Sequence, residues 1–360
     1  MIKTKIFVSF LFVLLVSLFA TGCAINTKEK TFTIMWSIYA GWMPWSYAAE
    51  SGILDKWAQK YNIKIDLKQA DYIPSIEAYV SEKADGVVMT NMEALNMAAT
   101  AGIDTSVVIL GDYSNGNDAV ITRNKLSLCD LKDKEINLVQ YSVSHYLLER
   151  GFEEKCQEKI TEKSTSLINT SDSDIGSTFI TSKKQLAVVT WNPIVLEILS
   201  QTPEAVAVFD SSQIPYEILD TLALNTETLN KNPELAKALV GAWYETISLM
   251  NKNNSGSDKV LDSMAKRAGT SLELYKKQLQ TTMMWYDPKE AVDFTNNPKL
   301  FEVMKKVANF SFENGLYGQN SKSAEDVGIV FSDGTIFGDK NNIKLRFNDV
   351  FMRLAADGKL

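Results

Sequence analysis

Histidine is almost missing from this 360-residue chain: His145 is the single one. Cysteine is scarce too, at three residues. A histidine-based zinc site takes two or three imidazoles, or enough thiolates to replace them, so no such metal centre is expected here. A His–Cys nucleophilic pair is equally poorly supplied. Basic clusters are also lacking. Lys and Arg number 37 against 44 Asp and Glu, a formal charge of −7. An acidic chain without a basic stripe is a poor partner for nucleic acid, but it suits cationic or neutral ligands at long range. There is no fixed-period repeat and no low-complexity tract, and beyond the N-terminus no apolar run is long enough to span a bilayer.

The one long apolar run stands at the start. Lys3 and Lys5 precede Ile6–Ala20, and small residues then lead to Cys23. A run this short, with these flanks, reads as a secretory signal over residues 1–22 and not as a membrane-crossing helix. Its end resembles a bacterial lipobox, which implies cleavage before Cys23 and diacylation of that thiol; an ordinary signal peptide is the alternative. Residues 23–30 then form a polar tether, and the protein is expected to be extracytoplasmic, held at a bacterial membrane by acyl chains. Only Cys129 and Cys156 remain. In an oxidising compartment they either pair or stay as two buried thiols, and their spacing does not decide between the two.

The rest of the chain is longer than one core usually serves, which favours two lobes. It reads as strand–turn–helix units: "TFTIMWSIY" then a helix "SYAAESGILDKWAQKY", "IKIDLKQA" then "IPSIEAYVSEK", "DGVVMT" then "MEALNMAATAG" with Asn91 as its N-cap, and "TSVVILGD". A second block repeats that grammar, with "EINLVQ" leading into a helix capped by Ser142, "STSLINT" into "SDSDIGSTFITSK", and "LAVVTW" into a helix started by Asn192-Pro193. Strands alternating with helices imply mostly parallel sheets covered on both faces. Polar breaks at Gly111–Asp118 and Ser211–Asp220 frame the second block, and the strand "TLALN" follows it. A chain that leaves one lobe, builds another and returns has two crossovers, the layout of a hinged two-lobe binder. The expected lobes are 31–117 with 213–360, and 118–212.

Six motifs in order, "WSIYAGWMPW", "GVVMTNMEAL", "GDYSNGND", "NLVQYSVSHYLL", "AVVTWNP" and the tail from "FSFENGLYG" to "NNIKLRF", resemble the solute-binding proteins of ABC importers in the nitrate/taurine/sulfonate group. Within that group they look like the urea-carboxylase-associated, urea/guanidine branch. The resemblance covers nearly the whole chain after the leader. It implies an α/β chain with the type II periplasmic-binding-protein fold, two lobes with a hinge of two crossovers, no catalysis, no cofactor and one small solute in the interlobe cleft. Its implied partners are the permease and ATPase subunits of an importer, and a monomer is expected.

In open α/β sheets ligands sit beyond the carboxyl ends of the strands. The loops expected there are Tyr39–Trp45, Thr90–Glu93, Gly111–Asp118, Tyr141–His145, Asp172–Asp174 and Trp191–Pro193. Tyr39, Trp42 and Trp45 offer aromatic faces to a cation, or else pack into the core. Asn91 offers an amide beside them. Glu93 is either a helix-dipole residue or a carboxylate facing the cleft, where it would repel an anion. Asp112 is a turn residue or a ligand group, whereas Asn115, Asn117 and Asp118 read as turn and hinge residues. Ser142 and Asn192 are caps that also stand at the expected mouth, with His145 and Trp191 beside them. The expected solute is a small nitrogen compound, cationic and guanidine-like, or urea. Nitrate, taurine or an alkyl sulfonate is the alternative. An enzyme related to a pyrimidine-forming family of the same scaffold is a third reading, for which one His and two separated Cys supply no reactive set.

Overall fold

The computed structural model describes residues 30–160, 165–251 and 256–360. The leader, Cys23 and all of the tether but Lys30 lie outside them. In chain order the strands are β1 (Lys30–Trp36), β2 (Ile63–Gln69), β3 (Gly86–Thr90), β4 (Thr105–Ser114), β5 (Asp118–Thr122), β6 (Glu135–Leu138), β7 (Ser166–Asn169), β8 (Ala187–Trp191), β9 (Val206–Asp210), β10 (Leu219–Asn225), β11 (Thr282–Met284), β12 (Gly328–Val330), β13 (Ile336–Phe337) and β14 (Ile343–Phe347). They form two sheets. The larger runs β13-β12-β14-β4-β10-β3-β1-β2, with β11 paired to β4, and the smaller runs β7-β6-β8-β5-β9.

Both sheets share one plan. The strand that arrives by a crossover, β10 in the large sheet and β5 in the small one, inserts between two others and runs antiparallel to both. The flanking pairs β1–β3, β4–β14, β6–β7 and β6–β8 are parallel. A reversed strand puts its first residue at the edge where its neighbours end. That edge is where an open α/β sheet receives a ligand, so the reversal brings Asp220 and Asp118 there.

β3 and β4 are buried at every position, as continuous apolar runs covered on both faces should be. The small sheet packs Ile121 and Val188 against Ile175, Phe179, Val195 and Ile198. The two crossovers are tied together at the hinge. Ser114 Oγ lies 2.6 Å from Ser211 Oγ and donates to Asp118 Oδ2 at 2.5 Å, while Gly116 N–H donates to Ser211 Oγ at 2.8 Å. Cys129 and Cys156 form a disulfide that joins a short helical turn to the end of the segment following the helix Val143–Gly151.

Three local expectations are corrected. The stretch from Ser46 to Tyr61 is two helices, Met43–Glu50 and Ile53–Lys60, broken where Gly52 takes φ +78°. The aromatic connection is itself helical, a tight turn Ala40–Trp42 running straight into Met43–Glu50. Thr90, not Asn91, caps the turn Asn91–Glu93, its hydroxyl accepting the Met92 N–H at 3.2 Å. Among the described residues no helix is long and apolar enough to cross a membrane.

Candidate ligand-binding site

Strand register places the acids. Asp220 lies opposite Thr90 at the end of β3 and opposite Asp112 on β4. Asp118 lies opposite Trp191 at the end of β8. Between these two rows is an interlobe cavity of about 20 Å³. With a water molecule's own radius of clearance around it, that is room for a solute of only a few non-hydrogen atoms.

Four aromatic rings wall the cavity, Tyr39, Trp42 and Tyr72 from the first lobe and Trp191 from the second. Tyr39 and Trp42 meet at 5.1 Å and 57°, Trp42 and Tyr72 at 5.5 Å and 45°, and Tyr72 and Trp191 at 5.7 Å and 71°. Tilted and edge-on contacts of this kind hold the four rings as one aromatic wall, a box against which a cation could rest. Asp118 and Asp220 line the same space, with Thr90, Val143 and Ile218 completing it. No Lys or Arg is among the described residues of the wall.

Three buried polar atoms at this site have no partner in the protein: Asp112 Oδ2, Asp220 Oδ2 and Trp42 Nε1. Tyr39 Oη donates to Asp112 Oδ1 at 3.5 Å. Asp112 and Asp220 are 0% and 2% exposed, and their carboxyl groups are within hydrogen-bonding reach of each other. Burial pushes Asp112 up to about 7, against the opposing hydrogen bonds from Asp220 and Tyr39. Burial likewise takes Asp118 up to about 7, opposed by the Ser114 hydroxyl and reinforced by the charges of Glu93 and Asp112. Asp220 is held well above the usual carboxylate range by burial first and by Asp112 next. Carboxyl groups so placed give up their protons at higher pH than exposed ones do, and a positive charge beside them lowers that pH.

Glu93 is buried but already satisfied. Tyr72 Oη donates to its Oε2 at 2.6 Å, the Thr90 hydroxyl donates to the same oxygen, and the Val143 N–H of the other lobe donates to Oε1 at 2.9 Å. Burial raises its pKa and those three donors oppose the rise. Five other expected contacts also do different work. Trp45 points into the core against Trp243, ring centroids 5.1 Å apart, because it sits on a helix and not on a free loop. The Asn91 amide is spent on the Glu217 carbonyl and the Leu219 N–H. Ser142 caps its helix by accepting the Ser144 N–H and donates to the Val139 carbonyl. Asn192 Oδ1 accepts the Leu196 N–H at 3.1 Å and its amide reaches Thr281. His145 lies edge-on to Phe310 with Nε2 3.2 Å from Glu149. Tyr39, Trp42 and Trp191 are brought together in the wall, with Asp112 directly behind Asp220.

Sequence reasoning missed Tyr72, Ile218 and Asp220 as wall residues, reached Thr90 and Val143 only through the loops expected to contain the ligand, and took Asp118 for a hinge residue. Tyr72 follows β2, so the rule about strand ends pointed to it. Asp220 and Asp118 carried a weaker signal, that of acids opening the strands that follow the two crossovers.

The fold is similar to several solved structures. The periplasmic aliphatic sulphonate binding protein of Escherichia coli matches with a TM-score of 0.63 at 16% identity over 81% of this chain and 95% of that one. The alkanesulfonate-binding protein of Xanthomonas axonopodis pv. citri, solved with MOPS, matches at 0.65 and 14%, covering 82% and 96%. The periplasmic nitrate-binding protein of Synechocystis PCC 6803 matches at 0.57 and 13%, covering 92% and 99%. No family model matches the sequence, and neither does any curated protein. At these identities the likeness is one of architecture, and the chain has the two-lobed type II periplasmic-binding-protein fold.

Proposed function

We propose that this protein is the extracytoplasmic solute-binding subunit of an ABC importer and that its solute is a small organic cation with N–H donors, guanidine or a close relative. The observation that carries this is the pair of unpartnered carboxylate oxygens, Asp112 Oδ2 and Asp220 Oδ2, beside an aromatic box that no Lys or Arg enters among the described residues. A guanidinium offers forked N–H donors to carboxylates and a flat cationic face to indole and phenol rings. Charge-assisted hydrogen bonds of about 1.5–3 kcal/mol each, added to cation–π attraction, support micromolar affinity after the costs of association. A nitrate or sulfonate in the same space would be desolvated beside like charge, a cost of several kcal/mol. The sulfonate- and nitrate-binding neighbours therefore support the role and not the ligand.

Urea is the second reading, and Trp42 favours it. Its unpartnered Nε1–H needs an acceptor, which the urea carbonyl has and guanidinium lacks. Permease and ATPase subunits are the partners this role requires, and the Cys23 lipid anchor would hold the protein to their membrane. Calorimetry and thermal shift with guanidinium, urea, taurine, nitrate and an alkanesulfonate test the reading. Guanidinium at about 100 times its Kd should raise folding stability by about 2.7 kcal/mol, and the anions should do nothing. Binding of an alkanesulfonate or nitrate without any binding of guanidinium or urea overturns it.

A further inference from the structure

Asp112 and Asp220 are directly paired residues on adjacent antiparallel strands, and directly paired residues project from the same face of a sheet. Their carboxyl groups are within hydrogen-bonding reach of each other, no donor elsewhere in the protein reaches Asp112 Oδ2 or Asp220 Oδ2, and both residues are buried. Two carboxylates in contact resist ionising together, so above about pH 7, where Asp112 has lost its proton, the solute-free pair holds one proton between them. The titratable groups that face the pair are Tyr39 from the loop after β1, Asp118 from β5, Glu93 beyond Asp118, and Tyr275 and Tyr286 on either side of β11. All are acids or phenols. None brings a positive charge to the pair.

We propose that the solute enters this site as a cation in exchange for the proton shared by Asp112 and Asp220. The exchange balances. The protonated pair carries one negative charge, and the fully ionised pair with one monocation also carries one, so the buried site keeps its net charge while a proton leaves to solvent. Capture is then coupled to proton release and tightens as pH rises, until the free pair has lost its proton without help. This exchange rests on the cation reading of the site.

The experiment is calorimetry with guanidinium chloride in two buffers of different ionisation enthalpy. At about pH 8 the difference in heat should correspond to release of about one proton per guanidinium, and Kd should tighten about tenfold per pH unit above about pH 7. Asp220→Asn replaces the shared proton with a permanent amide donor, and should bind guanidinium more weakly, with buffer-independent heat and a flat pH profile. Asp118→Asn tests whether that wall acid supplies the proton instead. Guanidinium binding to the wild type with buffer-independent heat and a flat Kd would overturn the exchange and leave the cation reading standing. Absence of guanidinium binding at any of these pH values removes both. Proton release that survives Asp220→Asn but vanishes in Asp118→Asn would place the proton on Asp118 and overturn the role of the pair.

Discussion

Glu93, in the first lobe, accepts the N–H of Val143, the first residue of a second-lobe helix, at 2.9 Å. The contact has a mirror image: Asp172 in the second lobe accepts the N–H of Tyr72, the first residue of a first-lobe helix, at 3.0 Å. Each lobe thus places a carboxylate on an exposed donor at a helix N-terminus of the other, where the dipole favours negative charge. Because the three partners of Glu93 are all donors, its ionised form is the one that fits. Glu93 therefore ties the two lobes together, and in the proposed binding role it would serve closure and not contact with the solute.

Glu93→Gln keeps the shape and removes the charge. It should cost about 1–2 kcal/mol of closure, or roughly five- to thirtyfold in affinity, because one charge-assisted hydrogen bond becomes a neutral one. The loss should be the same for guanidinium and for urea, since closure serves both. Calorimetry with the two solutes checks this, and a loss confined to guanidinium would make Glu93 a ligand carboxylate instead.

Solute-free protein should lose stability as pH rises. Burial lifts Asp112 and Asp118 to about 7 and Asp220 higher still, above their values in an unfolded chain, so the folded state binds more protons. The stabilisation is complete below about pH 4; the share from Asp112 and Asp118 is lost as pH climbs through about 7, a change on the order of a few kcal/mol, and the Asp220 share is lost at higher pH. Melting temperature followed from about pH 5 to about pH 8 should fall, and should fall less steeply in Asp118→Asn. Guanidinium should flatten the decline, because its binding compensates the same charges.

The architecture could be read from sequence because it rests on repeated local signals. Buried runs such as β3 and β8, each leading into a helix, mark strands with a parallel neighbour, β1 and β6 respectively, and the return at "TLALN" pointed to the second crossover. The site was harder because its parts are set by register and by helix phase. Trp42 and Trp45 are three residues apart, and only the helix that includes Trp45 turns one toward Trp243 and leaves the other at the cavity. Asp220 became a wall residue through the reversal of β10, which sequence periodicity does not report. Glu93 was recognisable as a cleft acid, but its donors include Tyr72, brought to it by the fold of its own lobe, and Val143, which reaches it from the other lobe.

The two tryptophans should separate cleanly in mutants. Trp45→Ala empties a core position against Trp243 and should cost about 3–5 kcal/mol of folding stability, as large aromatic truncations do. Trp42→Leu leaves that packing in place but removes a π face from the box, and should weaken guanidinium binding roughly tenfold with a smaller change in stability. Chemical denaturation and calorimetry on both variants test the division. Equal loss of solute affinity in folded Trp45→Phe and Trp42→Phe would contradict it.

Gly41 offers the sharpest test of where the carboxylates must stand. A Cβ on this residue would lie 2.5 Å from Asp112 Oδ2 and 2.8 Å from the Tyr39 ring, closer than van der Waals contact allows. The clash is with side-chain atoms, and the Gly41 backbone lies outside the left-handed region, so Gly41→Ala should fold while pushing the Asp112 carboxyl and Tyr39 aside. A displaced carboxyl can no longer meet Asp220, and the single methyl group should cost about tenfold or more in guanidinium affinity, the loss of one charge-assisted contact. A melting temperature near that of wild type, together with that loss, would locate solute recognition at Asp112. Unchanged affinity in a folded Gly41→Ala protein would show that the Asp112 carboxyl is free to move, and would count against its part in the site.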